Sequence, residues 1–174
     1  MLGTRTLSRT SILHLERRHL VASDRTAFTR EVVVHPGAVA VVPMLGDHVI
    51  LYEQHRVPAG RALIELPAGK LDVAGESPEV AAGRECEEEV GYRPGRMEPL
   101  IGFFTAPGFS DEWIQVYLAT DLEPVPTRPD GIEEESARVI SMPLSEALEL
   151  IANGVIVDCK TIAGLYAAAA RTID

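Results

Sequence analysis

Glu85, Glu87, Glu88 and Glu89 set four carboxylates within five consecutive positions, preceded by Arg84 and followed by Val90, Gly91 and Tyr92. Like charges at neighbouring helical positions repel, so this is a costly way to build a helix surface. At roughly 100° per residue, Glu85, Glu88 and Glu89 fall within about one third of a helix circumference. Glu85 and Glu89 are i,i+4 neighbours whose carboxylates can converge on a single point. A hard divalent cation such as Mg²⁺ turns that repulsion into coordination, since it prefers carboxylate oxygens and keeps several waters. The plain alternative is a solvated acidic face. Arg84, one turn before Glu88, can pair with it and hold one carboxylate in place.

The elements around this run must position it. Upstream stands Leu66-Pro67-Ala68-Gly69-Lys70-Leu71-Asp72, then Gly75-Glu76-Ser77-Pro78. Ser77 is a hydroxyl N-cap and Pro78 suits the first helical position, where a missing N–H costs nothing. Gly91 is placed to end the helix as the residue just past its last turn. A Gly-rich loop therefore leads into a helix of roughly 13 residues whose later turns carry the glutamates. Strands are expected at Arg30 to His35, Ala38 to Pro43, His48 to Glu53, Ala62 to Leu66, Met97 to Thr105, Glu112 to Thr120 and Arg138 to Met142. Helical periodicity marks Leu144 to Asn153 and Thr161 to Arg171. Asp121 to Asp130, with Pro124, Pro126 and Pro129, reads as an exposed, mobile loop. Phe104, Phe109 and Trp113 could line a base pocket, but aromatics in strands are more often core, and none is assigned a role. His55 reads as a structural or edge-strand residue.

These residues resemble the Nudix hydrolase family. Its signature is a glycine, five residues, a glutamate, seven residues, then Arg-Glu, an aliphatic residue, any residue, Glu-Glu, any residue, Gly and an aliphatic residue. Glu76 to Arg84 has that spacing, and Arg84 through Tyr92 match with Cys86 and Tyr92 in the apolar slots. One departure stands out: six residues, not five, separate Gly69 from Glu76. That leaves the geometry of the loop entry and the role of Glu76 open. The resemblance implies an α/β/α sandwich with a mixed sheet over residues 36–174. Residues 1–35 would add a small antiparallel β extension that serves dimerisation.

Outside the signature, His35 to Val39, Glu53 to Arg56, Glu65 to Gly69, Ala106 to Glu112 and Asp158 to Ala163 resemble the ADP-ribose pyrophosphatase group of that family. Pro107, fifteen positions after Tyr92, sits where that group carries a substrate-marking proline. The resemblance implies Mg²⁺ or Mn²⁺ held by Glu85, Glu89 and the backbone carbonyl of Ala68. Glu88 would share a further metal as a catalytic residue, with Arg84 beside it. The loop before the last core strand would supply Glu133 as base and Glu135 as a metal ligand. Arg56 would bind phosphate or ribose, and Glu65 would hydrogen-bond a ribose or help position metal. Such enzymes are usually homodimers in which the amino-terminal extension completes the partner's site, here through Arg30 or a residue from Thr26 to Thr29. The implied reaction converts ADP-ribose and water to AMP and ribose 5-phosphate. Hydrolysis of another nucleoside diphosphate sugar (an ADP- or GDP-hexose) is the first alternative. A module that binds ADP-ribose without cleaving it is the second.

Composition is consistent with a cytoplasmic enzyme. A chain of 174 residues is one domain-sized unit with room for a core. No apolar run is long enough to span a membrane, and Met1 to Thr10 lacks the apolar core of a signal peptide. The formal net charge of −10 argues against general nucleic-acid binding, which needs a basic surface. The same charge means that an anionic substrate requires metal ions and a few placed cations. Cys86 and Cys159 read as small buried hydrophobes rather than a disulfide or a metal pair.

Overall fold

The computed structural model describes residues 1–10, 14–128 and 137–171. Glu133, Glu134 and Glu135 therefore lie outside the described residues.

The amino-terminal extension is a three-stranded antiparallel sheet of β1 (Gly3–Arg9), β2 (His14–Val21) and β3 (Ala27–Val34). It is largely exposed, and like charges face each other across it: Arg5 lies opposite Arg17, and Arg18 opposite Arg30. It is fixed to the body through Arg18, which donates to Asp111 Oδ2 at 2.9 Å, while Asp111 Oδ1 accepts from the His35 N–H. The backbone of Val33 also pairs with Phe109 and Asp111.

The body is a seven-stranded mixed sheet with helices on both faces. Its spine runs β10 (Arg138–Pro143), β5 (His48–Arg56), β4 (Ala38–Leu45), β9 (Trp113–Pro124), β8 (Tyr92–Phe104), with only β4 and β9 parallel. The β4–β5 hairpin pairs at Met44–Val49 and Leu45–His48, then the two strands separate. The chain from β6 (Arg61–Glu65) to β7 (Ala68–Lys70) fills the wedge, β6 pairing with β5 and β7 with β4. This wedge carries the Gly-rich loop into the middle of the sheet. Pro94 and Pro99 are tolerated because β8 is an edge strand, and the register shifts between Pro99 and Ile101.

Period-2 alternation divides the core. Val39, Val41, Ile50 and Tyr52 face helix α1 (Pro78–Val90), meeting Ala81, Ala82, Cys86 and Val90. Ala38, Ala40, Val42, Val49 and Leu51 face the other way, toward α2 (Leu144–Ala152) and α3 (Cys159–Arg171). Each fully buried Val, Leu or Ile contributes about 1.5–3 kcal/mol. Gly164 lets α3 lie close on this face, since a Cβ there would stand 2.7 Å from Leu66 Cδ1.

Several expectations need correction. Asp121 to Pro124 continue β9 instead of forming a loop, and Leu122 is buried because the edge strand β8 extends back to Tyr92 and pairs with them. Phe104, Phe109 and Trp113 are exposed rather than core; Phe104 and Trp113 form an edge-to-face pair with centroids 4.9 Å apart. Cys159 is exposed because it opens α3 at its rim, whereas Cys86 is buried, and burial pushes its thiol up to about 12.

Candidate active site

Helix α1 forms where its caps require. The Val80 N–H donates to Ser77 Oγ at 3.3 Å, and Gly91 ends the helix in the left-handed region at φ 73°. With one face held against β4 and β8, the glutamates emerge beside β7. Glu85 packs directly on Gly69, where an added Cβ would lie 1.9 Å from Glu85 Oε1. Only glycine leaves that space.

Arg84 organises three carboxylates. Its Nε and Nη2 donate to the two oxygens of Glu76 at 3.0 and 3.1 Å, and its Nη1 lies 2.8 Å from both Glu85 Oε1 and Glu88 Oε2. The longer loop between Gly69 and Glu76 thus still delivers Glu76 to the helix. The hydrogen bonds to Glu76, then to Glu88, hold the guanidinium pKa well above its ordinary value against the opposing effect of burial.

Glu89 is fixed from the sheet side. Tyr52 Oη donates to Glu89 Oε1 at 2.5 Å, and the Ala68 N–H donates to Glu89 Oε2 at 2.8 Å. Gln54 Nε2 in turn donates to Tyr52 Oη. Burial and the neighbouring Glu89 charge raise the Tyr52 pKa, so the phenol stays a donor. Tyr52 and Gln54 were missed in the sequence, although alternation along β5 puts them on the same face as Ile50.

A second cluster forms the facing wall. Glu65 is buried to 1 % exposure. Its oxygens accept from Arg56 Nε at 2.8 Å and Arg56 Nη2 at 2.7 Å, and Oε2 also accepts from Lys160 Nζ at 2.5 Å. Asp158 caps α3: its Oδ2 accepts from Thr161 N at 3.0 Å, Thr161 Oγ1 at 2.6 Å and Lys160 Nζ at 3.0 Å. Thr161 Oγ1 then accepts from the Leu66 N–H at 2.9 Å. The start of α3 is thereby tied to the strand that enters the Gly-rich loop. Lys160 carried no signal in the sequence beyond its place in the Asp158 to Ala163 stretch.

A cleft of about 980 Å³ joins both clusters, lined among others by Arg56, Glu65, Ala68, Arg84, Glu85, Glu88 and Glu89. His35, Thr105 and Glu112 also line it, with Thr105 Oγ1 donating to Glu112 Oε2 at 2.6 Å. Pro107 is not part of this lining; it sits exposed in the turn between β8 and β9. Arg30 stacks over Phe28 at 4.8 Å in the extension.

The donor set suits a hard cation. Glu76, Glu85, Glu88 and Glu89 bring four negative charges against the single positive charge of Arg84, an imbalance that a divalent ion relieves with the oxygen ligands it prefers. Among the described residues no three carboxylate, histidine or cysteine groups already converge on one point. Arg84 now stands between Glu85 and Glu88, and Tyr52 and Ala68 hold Glu89.

Comparison with known proteins matches the NUDIX domain family over residues 34–162. An ADP-ribose pyrophosphatase of Mycobacterium tuberculosis (strain ATCC 25618 / H37Rv) is 42% identical over 173 residues, spanning 98% of this chain and 83% of the relative. A methanol dehydrogenase activator of Bacillus methanolicus is 44% identical over 134 residues, 76% of this chain and 72% of the relative. Among solved structures, an ADP compounds hydrolase superposes with a TM-score of 0.83 at 26% identity, covering 96% of this chain and 90% of that one.

Proposed function

The chain belongs to the Nudix hydrolases, a family in general dependent on divalent metal ions, and from that premise we propose that it hydrolyses the pyrophosphate bond of ADP-ribose to AMP and ribose 5-phosphate. The observation that carries this reading is the cleft itself, with a metal-type carboxylate cluster on one wall and Arg56 on the other. The 42% identity to an ADP-ribose pyrophosphatase over nearly the whole chain supports the substrate.

Hydrolysis adds water across the P–O–P link. A P–O bond forms at one phosphorus, the bridging oxygen leaves with the other phosphate, and the water gives up one proton to a base while the other stays on the new phosphate oxygen. A bound Mg²⁺ or Mn²⁺ supplies charge neutralisation, orientation of the two phosphates and acidification of water. Glu85, Glu89 and the Ala68 carbonyl would hold it, with Glu88 sharing a further ion. Arg84 keeps Glu76, Glu85 and Glu88 grouped, and Tyr52 keeps Glu89 turned toward the loop. Arg56 presents a guanidinium, suited to bidentate contact with phosphate oxygens. Glu133 as base and Glu135 as a further ligand rest on the family position of their loop, and Pro107 on its place after the signature. A homodimer joined through β1, β2 and β3, and a cytoplasmic location, complete the reading.

A substrate panel tests it: ADP-ribose, ADP-glucose, GDP-mannose, NAD⁺ and diadenosine polyphosphates, each with Mg²⁺, with Mn²⁺ and with chelator. Metal-dependent release of AMP from ADP-ribose ahead of the others is expected. Preference for a hexose conjugate would overturn the substrate but keep the metal site. Binding without turnover would make the protein a sensor.

A further inference from the structure

Glu65 is a buried carboxylate with two cations on it; both line the cleft, and Arg56 is the more open of the two. Arg56 is 36% exposed and approaches Glu65 through Nε and Nη2, whereas Lys160 is 10% exposed and approaches Oε2 from the α3 side. Arg56, Lys160, Glu65 and Asp158 together sum to zero charge. Without Lys160 the same wall sums to −1, and of the two cations on Glu65 only Arg56 is left. The facing wall already carries the unbalanced glutamates of α1, so a diphosphate would then meet acidic surfaces on both sides. A buried carboxylate left with a single partner also binds that partner more tightly, because nothing else offsets its desolvation.

We propose that Lys160 is a positioning residue for substrate binding: by sharing Glu65 with Arg56, it leaves the Arg56 charge available to the substrate diphosphate. This rests on the reading above for the substrate class. The Lys160 Nζ is held between Glu65 and Asp158, so it acts through Glu65 on Arg56. Asp158 and Thr161 fix it there, since the same Asp158 oxygen that caps α3 accepts from Lys160.

The test is a double-mutant cycle read by binding of ADP without metal and by KM and kcat for the hydrolysed substrate. Lys160→Met in the native background is expected to raise the ADP Kd and the KM about tenfold and to leave kcat within about threefold. In an Arg56→Ala background the same change is expected to raise Kd less than twofold, because the residue it acts through is gone. Lys160→Arg keeps the charge and is expected to stay within about threefold of native Kd. Equal effects in both Arg56 backgrounds, or a fall in kcat with unchanged KM, would overturn the proposal. So would failure of both Lys160→Met and Lys160→Arg to fold, which would make the lysine structural. Failure of the substrate reading is visible separately, as native protein that prefers another sugar nucleotide in the panel; the cycle is then run with that compound and its nucleoside diphosphate.

Discussion

Glu85 rests on Gly69 so closely that a single methyl group at Gly69 would occupy the position of the Glu85 carboxylate. The loop glycine and the helix glutamate thus define one another's place. Gly69→Ala is expected to displace Glu85 and lower kcat at least about tenfold, with the fold retained, because the clash falls on a side chain and not on backbone. Steady-state kinetics with a thermal unfolding curve check it. Native kcat in Gly69→Ala would mean that Glu85 has no fixed position to lose.

Tyr52 ties β5 to the acidic helix through Glu89. Tyr52→Phe removes the donor to Glu89 and leaves the Gln54 amide without its acceptor, costing about 1–3 kcal/mol of stability. The larger expected effect is weaker metal activation, with the Mg²⁺ concentration for half-maximal rate rising several-fold. A metal titration of activity in the variant measures this. An unchanged titration would leave Tyr52 as a packing residue only.

Glu65 gives the fold an acid limb. Burial would raise its pKa, but the hydrogen bond from Arg56 and the charge and hydrogen bond of Lys160 prevail, holding it below the ordinary value of 4.5. A carboxyl whose pKa is depressed in the folded state stabilises above its unfolded value. That stability is lost as pH falls through the folded value. Denaturant midpoints are therefore expected to drop below about pH 4.5, and Glu65→Gln to show a shallower acid limb from a lower starting stability at neutral pH. Identical acid limbs in the two proteins would contradict the arrangement.

What could be read in the sequence was local, and what could not was long-range. The helix α1, its Ser77 cap and its Gly91 stop follow from residues next to one another, and the structure has them at the expected positions. Arg84 pairing with Glu88 is a helical neighbour contact, legible from spacing alone. Its pairing with Glu76 depends on how the longer loop folds back, which spacing left open. Lys160 reaches Glu65 across 95 positions, and no periodicity connects them. The exposure of Phe104 and Trp113 was misread because a strand pattern says which residues share a face and not whether that face is covered.

Glu133 separates two mechanisms. Glu133→Gln is expected to lower kcat about a hundredfold with KM little changed if the loop supplies the base. A native rate in that variant would move proton removal to the α1 cluster, with Glu88 the cleft carboxylate to test next.

The most direct measurement is AMP release from ADP-ribose by the native protein and by Glu85→Gln and Glu89→Gln, each with saturating Mg²⁺ and with chelator. The expected result is rapid release by the native protein, abolished by chelator, and at least about a hundredfold lower kcat in both folded variants. Chelator-resistant turnover, or native rates in both variants, would contradict the assignment of the α1 carboxylates as the seat of the reaction.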